Sequence, residues 1–187
     1  IELPESKRYH QKDSHKCWIF AGINMIKHNM AENLNIDSRK LALSDNYIAF
    51  FDKLEKSNHT YENVIALENT DLTYIRKENI LKFCASEGGY WQYFVEILNK
   101  YGIVPIEVMP NVKESINYEK IDAIFTEKVK KDVISLLEGK KQKESLEKLR
   151  EIKNQFLQEN YNLLAKILGE PKFNFDYEYK DKNNQII

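Results

Sequence analysis

The pattern of apolar and polar positions predicts helices over most of the chain. Apolar residues face nearly all directions from Cys17 to Met30, which predicts a buried helix with Asp13 or Ser14 as its N-cap. Ser44 is predicted to cap a second helix that runs to about residue 57. Further helical segments are predicted at residues 61–67, 76–84 and 91–101, the last ended by Gly102.

The second half of the chain predicts a helical hairpin followed by a strand. Residues 114–168 are rich in Lys, Glu and Leu and form two amphipathic runs, separated at Gly139 and stopped by Gly169 and Pro171. Aromatic residues then alternate with polar ones at positions 173, 175, 177 and 179, which is strand spacing. Short extended pieces are predicted at 103–105 and 108–110, because each precedes or contains a proline.

Composition narrows the function classes without choosing one. The chain has 187 residues, 42% hydrophobic and 30% charged, which allows one sizeable core and a second small unit. A net charge of −1 gives no sign of nucleic-acid binding. The two cysteines, without closely spaced histidines, favour a reducing cytosolic setting and neither a disulfide framework nor a metal site. No apolar stretch is long enough to span a membrane, and the start at Ile1 suggests a piece of a longer protein.

Cys17 is the candidate for covalent chemistry. A cysteine that begins a helix lies at the positive end of the helix dipole, which favours the reactive thiolate. A single cysteine is, however, more often a small buried hydrophobe. Gln11 lies six residues earlier, so its amide could reach over the turn and donate to an oxyanion formed beside the sulfur. The Gln-turn-Cys-Trp-helix unit is more specific than either residue alone.

This unit resembles the active-site segment of papain-like cysteine peptidases, in particular the aminopeptidase C and bleomycin hydrolase branch. The branch pattern D-Q-K-x-S-G-R-C-W-x-F-A is similar to H-Q-K-D-S-H-K-C-W-I-F-A at residues 10–21. Similar stretches follow in the same order at 43–58 (L-S-D-N-Y through E-K-S-N), 87–91 (E-G-G-Y-W), 100–105 (K-Y-G-I-V-P) and 175–182 (F-D-Y-E-Y-K-D-K). The resemblance therefore covers almost the whole chain.

The resemblance implies an α+β, papain-like fold, of which this chain supplies mainly the helical lobe with a long helical-hairpin insertion and few short strands. The implied domains are residues 1–110 for the lobe, 111–170 for the insertion, and 171–187 for the segment that leads to a C-terminal lobe. Cys17 would be the nucleophile and Gln11 the oxyanion donor. Gly88 and Gly89 would bind substrate through bare backbone, although an ordinary turn is the alternative.

The resemblance also implies the chemistry and the setting. The reaction would be aminopeptidase cleavage of peptides through an acyl-enzyme, with no metal or other cofactor. The protein would be cytoplasmic and would form a homo-oligomer, a hexamer in the family. No membrane or nucleic-acid partner is expected.

Five of the positions that depart from the branch pattern bear on the site. His15 replaces a glycine just before the active-site turn, and its side chain could crowd the cleft or alter the local backbone. Lys16 replaces arginine and keeps the charge without the planar fork. Asp45 replaces glutamine, and Glu87 and Tyr90 replace aspartate and glutamine beside the Gly-Gly pair.

A papain-like thiolate also needs a histidine and an asparagine that orients it. The four histidines are His10, His15, His28 and His59, so none follows the Gly-Gly loop, where the family places its base. His10 and His15 are expected to be exposed loop residues, and the other two helix-surface residues. The 187-residue chain is therefore predicted to be inactive alone. The alternative is a non-catalytic binding or oligomerisation module.

Overall fold

The computed structural model describes residues 15–67, 74–85, 88–111 and 118–187, and these are mostly helical. Six helices lie in the described ranges: α1 Cys17–Asn33, α2 Asp45–Ala66, α3 Tyr74–Phe83, α4 Trp91–Tyr101, α5 Tyr118–Lys141 and α6 Leu146–Leu168. Extended pairing in the same ranges is limited to two isolated antiparallel bridges, Leu43 with Pro105 and Lys180 with Ile186. The predicted helical predominance is confirmed.

Helix α1 is amphipathic, so the prediction that it is apolar and buried all round is wrong. Its buried residues recur every three or four positions, whereas Met25 is 65% exposed. The helix ends in a Schellman motif, in which the N–H of Asn35 bonds to Glu32 O at 3.0 Å and that of Ile36 to Ala31 O at 2.8 Å. Asn35 has φ 54°, a left-handed conformation that asparagine tolerates.

Helix α2 begins as predicted but is longer. The Ser44 hydroxyl oxygen accepts a hydrogen bond from the N–H of Tyr47 at 3.1 Å and donates to Met109 O at 2.7 Å, which confirms Ser44 as the cap. The helix then continues to Ala66, so the segments predicted at 44–57 and 61–67 are one helix. Its Tyr47, Ile48, Phe50 and Phe51 are at most 1% exposed.

The described chain divides into two compact units. The first contains α1, the start of α2, α4 and the C-terminal segment, and the second contains the rest of α2 with α3, α5 and most of α6. Each unit therefore draws on segments that are distant in the sequence. The boundaries near residues 110 and 170, which concern the lobes of the family, stay a prediction.

In the first unit, α1 packs on α4 through a glycine. A Cβ on Gly22 would lie 2.5 Å from Cγ of Phe94, so only glycine lets the aromatic ring approach the backbone of α1. Phe94 is fully buried. Helix α4 runs from Trp91 to Tyr101 and stops at Gly102, which has φ 75°, and its predicted bounds are confirmed.

In the second unit, α5 and α6 form the predicted hairpin, but Gly139 does not break it. Helix α5 runs through Gly139 to Lys141, and a Schellman motif ends it with Lys143 at φ 62°. The N–H of Glu144 bonds to Gly139 O at 3.1 Å. A Cβ on Gly139 would lie 3.0 Å from Leu149, so this glycine admits a core leucine of α6 beside α5.

A buried polar cluster links three helices of the second unit. The Tyr61 hydroxyl donates to Asp132 at 2.6 Å and accepts from the Asn160 amide at 2.8 Å, and Lys128 donates to the same carboxylate at 2.7 and 2.9 Å. Burial raises the pKa of the Asp132 carboxyl and of the Tyr61 hydroxyl. The cluster therefore fixes the helices through groups that are costly to bury singly.

The segment after α6 contains no strand at 173–179, so that prediction is wrong. Phe173 is 61% and Phe175 40% exposed, and polar contacts further along hold the segment to the turn after α1, within the first unit. Asp181 accepts hydrogen bonds from the N–H groups of Asn183 and Gln185, both at 2.8 Å, and from the Asn35 amide at 3.1 Å. Alternation alone does not make a strand when no neighbouring strand pairs with it.

Candidate active site

Cys17 is the first residue of α1 and is exposed to solvent. The N-cap is Lys16, whose carbonyl accepts hydrogen bonds from the N–H groups of Ile19 at 2.9 Å and Phe20 at 3.1 Å. The side chain of Lys16 makes no capping hydrogen bond to the first turn. Asp13 and Ser14, the predicted caps, lie outside the described residues. The thiol therefore lies at the positive end of the helix and is accessible to a reagent.

The two residues before Cys17 have special environments. His15 is exposed and has φ 52°, the left-handed region in which a side chain is strained and glycine is not. Lys16 is 6% exposed, and its ammonium donates to Asp45 Oδ2 at 3.1 Å. Asp45 is the first residue of α2 and is 5% exposed, so this is a buried ion pair.

The Gly-Gly pair lies beside the start of α1, and a different physical constraint requires glycine at each of its two positions. Gly88 has φ 81°, and a Cβ there would meet nothing within 4 Å, so its backbone conformation requires glycine. A Cβ on Gly89 would lie 2.6 Å from the ring of Trp18, so close packing requires glycine at that position. The structure thereby brings Gly89 against the residue that follows Cys17.

Aromatic side chains follow the glycines at the start of α4. Tyr90, the N-cap of α4, is 75% exposed, and its ring meets that of Tyr93 edge to face with centroids 5.8 Å apart. Trp91 is 49% exposed and stacks on Phe94, so it lies at the surface and not in the core.

The structure does not place every predicted site residue. Gln11 and His10 lie outside the described residues. His15 is exposed as predicted, and His59 is an exposed residue of α2. His28 lies in α1, 11 residues after Cys17 or about 16 Å along the helix axis, and its Nε2 is 3.3 Å from a Glu32 oxygen. No described histidine of α1 is therefore a partner for the thiol.

The other cysteine has a different environment. Cys84 is 2% exposed, its Sγ is 3.4 Å from Leu81 O, and burial raises the pKa of its thiol. Cys84 is thus an unreactive counterpart to the exposed Cys17.

A concavity of about 350 Å³ lies at the other end of α1, where His28 and Glu32 meet Arg39 and Lys182. Its charges are largely matched. Arg39 donates to both oxygens of Asp37, at 3.0 Å from Nε and 2.7 Å from Nη2, and this lowers the pKa of the carboxyl to about 2.

The described residues contain neither a metal-binding cluster nor a membrane-spanning helix. No three His, Cys, Asp or Glu side chains in the described ranges form a group that could hold a metal ion. None of the described helices has the length and apolar composition needed to cross a bilayer.

The sequence matches the model of the Peptidase C1-like family over residues 1–187, and the chain belongs to that family. It is 31% identical to aminopeptidase W of Lactobacillus delbrueckii subsp. lactis over 97% of this chain and 41% of that relative. It is 33% identical to aminopeptidase C of Listeria innocua over 99% of this chain and 41% of that relative. The chain thus spans about two-fifths of the length of these curated relatives.

The fold is also similar to that of a solved structure. The crystal structure of PepW from Lactobacillus rhamnosis HN001 aligns with a TM-score of 0.89 and 34% identity. The alignment covers the whole of this chain and 42% of that one. The resemblance to the aminopeptidase C branch is confirmed.

Sequence reasoning did not find the Lys16–Asp45 pair. Both positions depart from the branch pattern, and this was the available signal. Asp45 introduces a carboxylate where the branch has glutamine, and Lys16 keeps the positive charge of the branch arginine. The two residues are 29 positions apart, so no local periodicity connects them.

Proposed function

We propose that this chain carries the nucleophile of a cysteine-type aminopeptidase with a papain-like fold, similar in specificity to bleomycin hydrolase. One observation carries the proposal: in a member of the Peptidase C1-like family, Cys17 is the exposed first residue of α1, and Gly89 packs on the adjacent Trp18. The relatives named as aminopeptidases support the reaction class.

In the proposed reaction, the Cys17 thiolate attacks the carbonyl carbon of the first peptide bond and forms a carbon–sulfur bond. The carbonyl oxygen becomes an oxyanion, held by the Cys17 N–H and the Gln11 amide. The carbon–nitrogen bond then breaks, and the leaving amine takes a proton from a histidine. Water hydrolyses the thioester and regenerates the thiol. Gly88 and Gly89 hold the substrate backbone.

The histidine and asparagine are proposed to come from a part of the protein outside this sequence, because no histidine follows His59. The 187-residue chain is accordingly proposed to be inactive alone. We further propose that the whole protein is cytoplasmic and assembles as a homo-oligomer, a hexamer on the family pattern, and that catalysis needs no metal or organic cofactor.

The test is hydrolysis of aminoacyl-coumarin amides by the full-length protein. We expect turnover that disappears in Cys17→Ala and on N-acetylation of the substrate, since an aminopeptidase requires a free α-amine. Cys84→Ala is the matched control and should retain turnover, because Cys84 is buried and its thiol pKa is raised. Turnover that survives Cys17→Ala would refute the proposal, and a correctly folded but inactive full-length protein would favour a binding module.

A further inference from the structure

We propose that the buried ion pair between Lys16 and Asp45 is a positioning device for Cys17. This inference rests on the proposed function, in which Cys17 is the nucleophile. The ammonium of Lys16 and Oδ2 of Asp45 are 3.1 Å apart, and the two side chains are 8% and 7% exposed. Neither residue is placed in contact with substrate, so both act through the backbone that carries the thiol.

The Lys16 end of the pair lies at the N-cap of α1, where a side-chain oxygen commonly supports the first turn of a helix. The Lys16 side chain makes no such capping hydrogen bond and is bound instead to Asp45. The orientation of that turn therefore depends on what holds residue 16. Adjacent Cα atoms are about 3.8 Å apart, so a side chain that fixes Lys16 also fixes the starting direction of Cys17.

The Asp45 end is anchored firmly. Asp45 follows Ser44, whose hydroxyl caps α2 and also donates to Met109 O at 2.7 Å. A carboxylate in the first turn of a helix is favoured by the helix dipole. The pair therefore connects the start of α1 to the start of α2, which has a side-chain cap.

The backbone before the pair adds a reason for such a connection. His15 has φ 52°, a conformation that costs a side-chain-bearing residue free energy. Strained residues persist only where the surrounding structure determines the conformation. Lys16, held on α2, is the next residue, so the pair keeps the turn at residues 15–17 in one arrangement.

A role in positioning can be separated from a role in stability. A buried ion pair adds little net stability compared with uncharged groups of similar shape, whereas loss of one partner is strongly destabilising. Lys16→Met and Asp45→Asn are the single variants, and the double variant removes both charges. The double variant should recover most of the stability that either single variant loses, yet it lacks the connection to α2.

The experiment uses the full-length protein with three readouts: urea unfolding, kcat and KM on aminoacyl-coumarin amides, and the rate at which iodoacetamide alkylates Cys17 at pH 7. Peptide mass spectrometry assigns the alkylation to Cys17. For the double variant we expect kcat to fall about tenfold or more with KM within about twofold. Alkylation should slow about fivefold because the start of α1 is no longer held on α2. The net charge of the pair is zero both before and after the change, so a slower rate reports the position of the thiol and not the charge around it.

Lys16→Arg is the conservative control, since it keeps a cation opposite Asp45 and should retain kcat and the alkylation rate. A double variant with native stability, native kcat and native alkylation would overturn the proposal and leave the pair a structural contact only. If the unmodified protein has no turnover but alkylation of Cys17 still slows in the double variant, the aminopeptidase proposal fails and the positioning role stands.

Discussion

Replacing His15 by glycine is expected to stabilise the protein by at most about 0.5 kcal/mol. His15 has φ 52°, and a left-handed conformation costs a residue with a Cβ roughly 1–2 kcal/mol. Histidine tolerates this region better than most residues, so the lower part of that range applies. Glycine removes the strain but loses roughly 0.5–1 kcal/mol more backbone entropy on folding, so the net gain is modest.

The assay is equilibrium urea unfolding of the full-length protein, with the slope against urea checked to be unchanged. Lys143→Gly is a matched control, because Lys143 has φ 62° in the turn after α5, in the other compact unit. It should stabilise by about the same amount. Gly169→Ala is the reverse control. Gly169 has φ 94° and open space around a Cβ, so alanine should destabilise by about 1 kcal/mol through backbone strain alone.

The three variants together test whether His15 is strained. If Lys143→Gly stabilises and His15→Gly destabilises, the imidazole makes a contact that outweighs the strain, and the account of His15 is refuted. If neither glycine variant stabilises while Gly169→Ala still destabilises, the assumed entropy cost of glycine is too small. Left-handed strain at His15 is supported only if both glycine variants stabilise the protein and Gly169→Ala destabilises it.

Three further perturbations test the packing and the buried polar groups. Gly22→Ala should lower the free energy of unfolding by about 1–3 kcal/mol, because the new Cβ would overlap the ring packed on α1. Tyr61→Phe should cost about 1–3 kcal/mol, because Asp132 loses a 2.6 Å hydrogen bond. Hydrogen bonding by the Gln185 N–H lowers the pKa of the Asp181 carboxyl below its usual value of 3.8. The ionised carboxylate therefore stabilises the folded protein above pH 3.8, and this stabilisation is lost as the pH falls through the lowered pKa. An NMR titration of that carboxyl, absent in Asp181→Asn, measures the midpoint.

Hydrophobic periodicity predicted the helices well because burial of one face determines them. The bounds of α4 and the cap at Ser44 were predicted because their signals are local: a glycine after the last turn and a serine before the first. The errors came from tertiary context. Gly139 was predicted to break a helix, but it lies inside α5, where it lets a core leucine of α6 approach closely. The aromatic alternation after residue 171 found no strand to pair with.

The candidate site was predicted in part for the same reason. Cys17 at a helix start and the loop at Gly88 are local features, and the sequence indicated both. The contact between Gly89 and Trp18 depends on a long-range approach that no periodicity encodes. The partner of Lys16 is equally distant in sequence, so it required the folded structure.

The departures from the branch pattern at residues 15, 16 and 45 differ physically, and restoring the pattern should therefore have opposite effects. His15 carries its strain alone, so the family glycine should stabilise the protein. Asp45 balances the buried ammonium of Lys16, so restoring glutamine there alone should cost about 3–5 kcal/mol. Adding Lys16→Arg to Asp45→Gln restores the pattern at both positions, and the second change should recover part of the loss. Urea unfolding of both single variants and the double variant measures this coupling, and strict additivity would show that the two departures are independent.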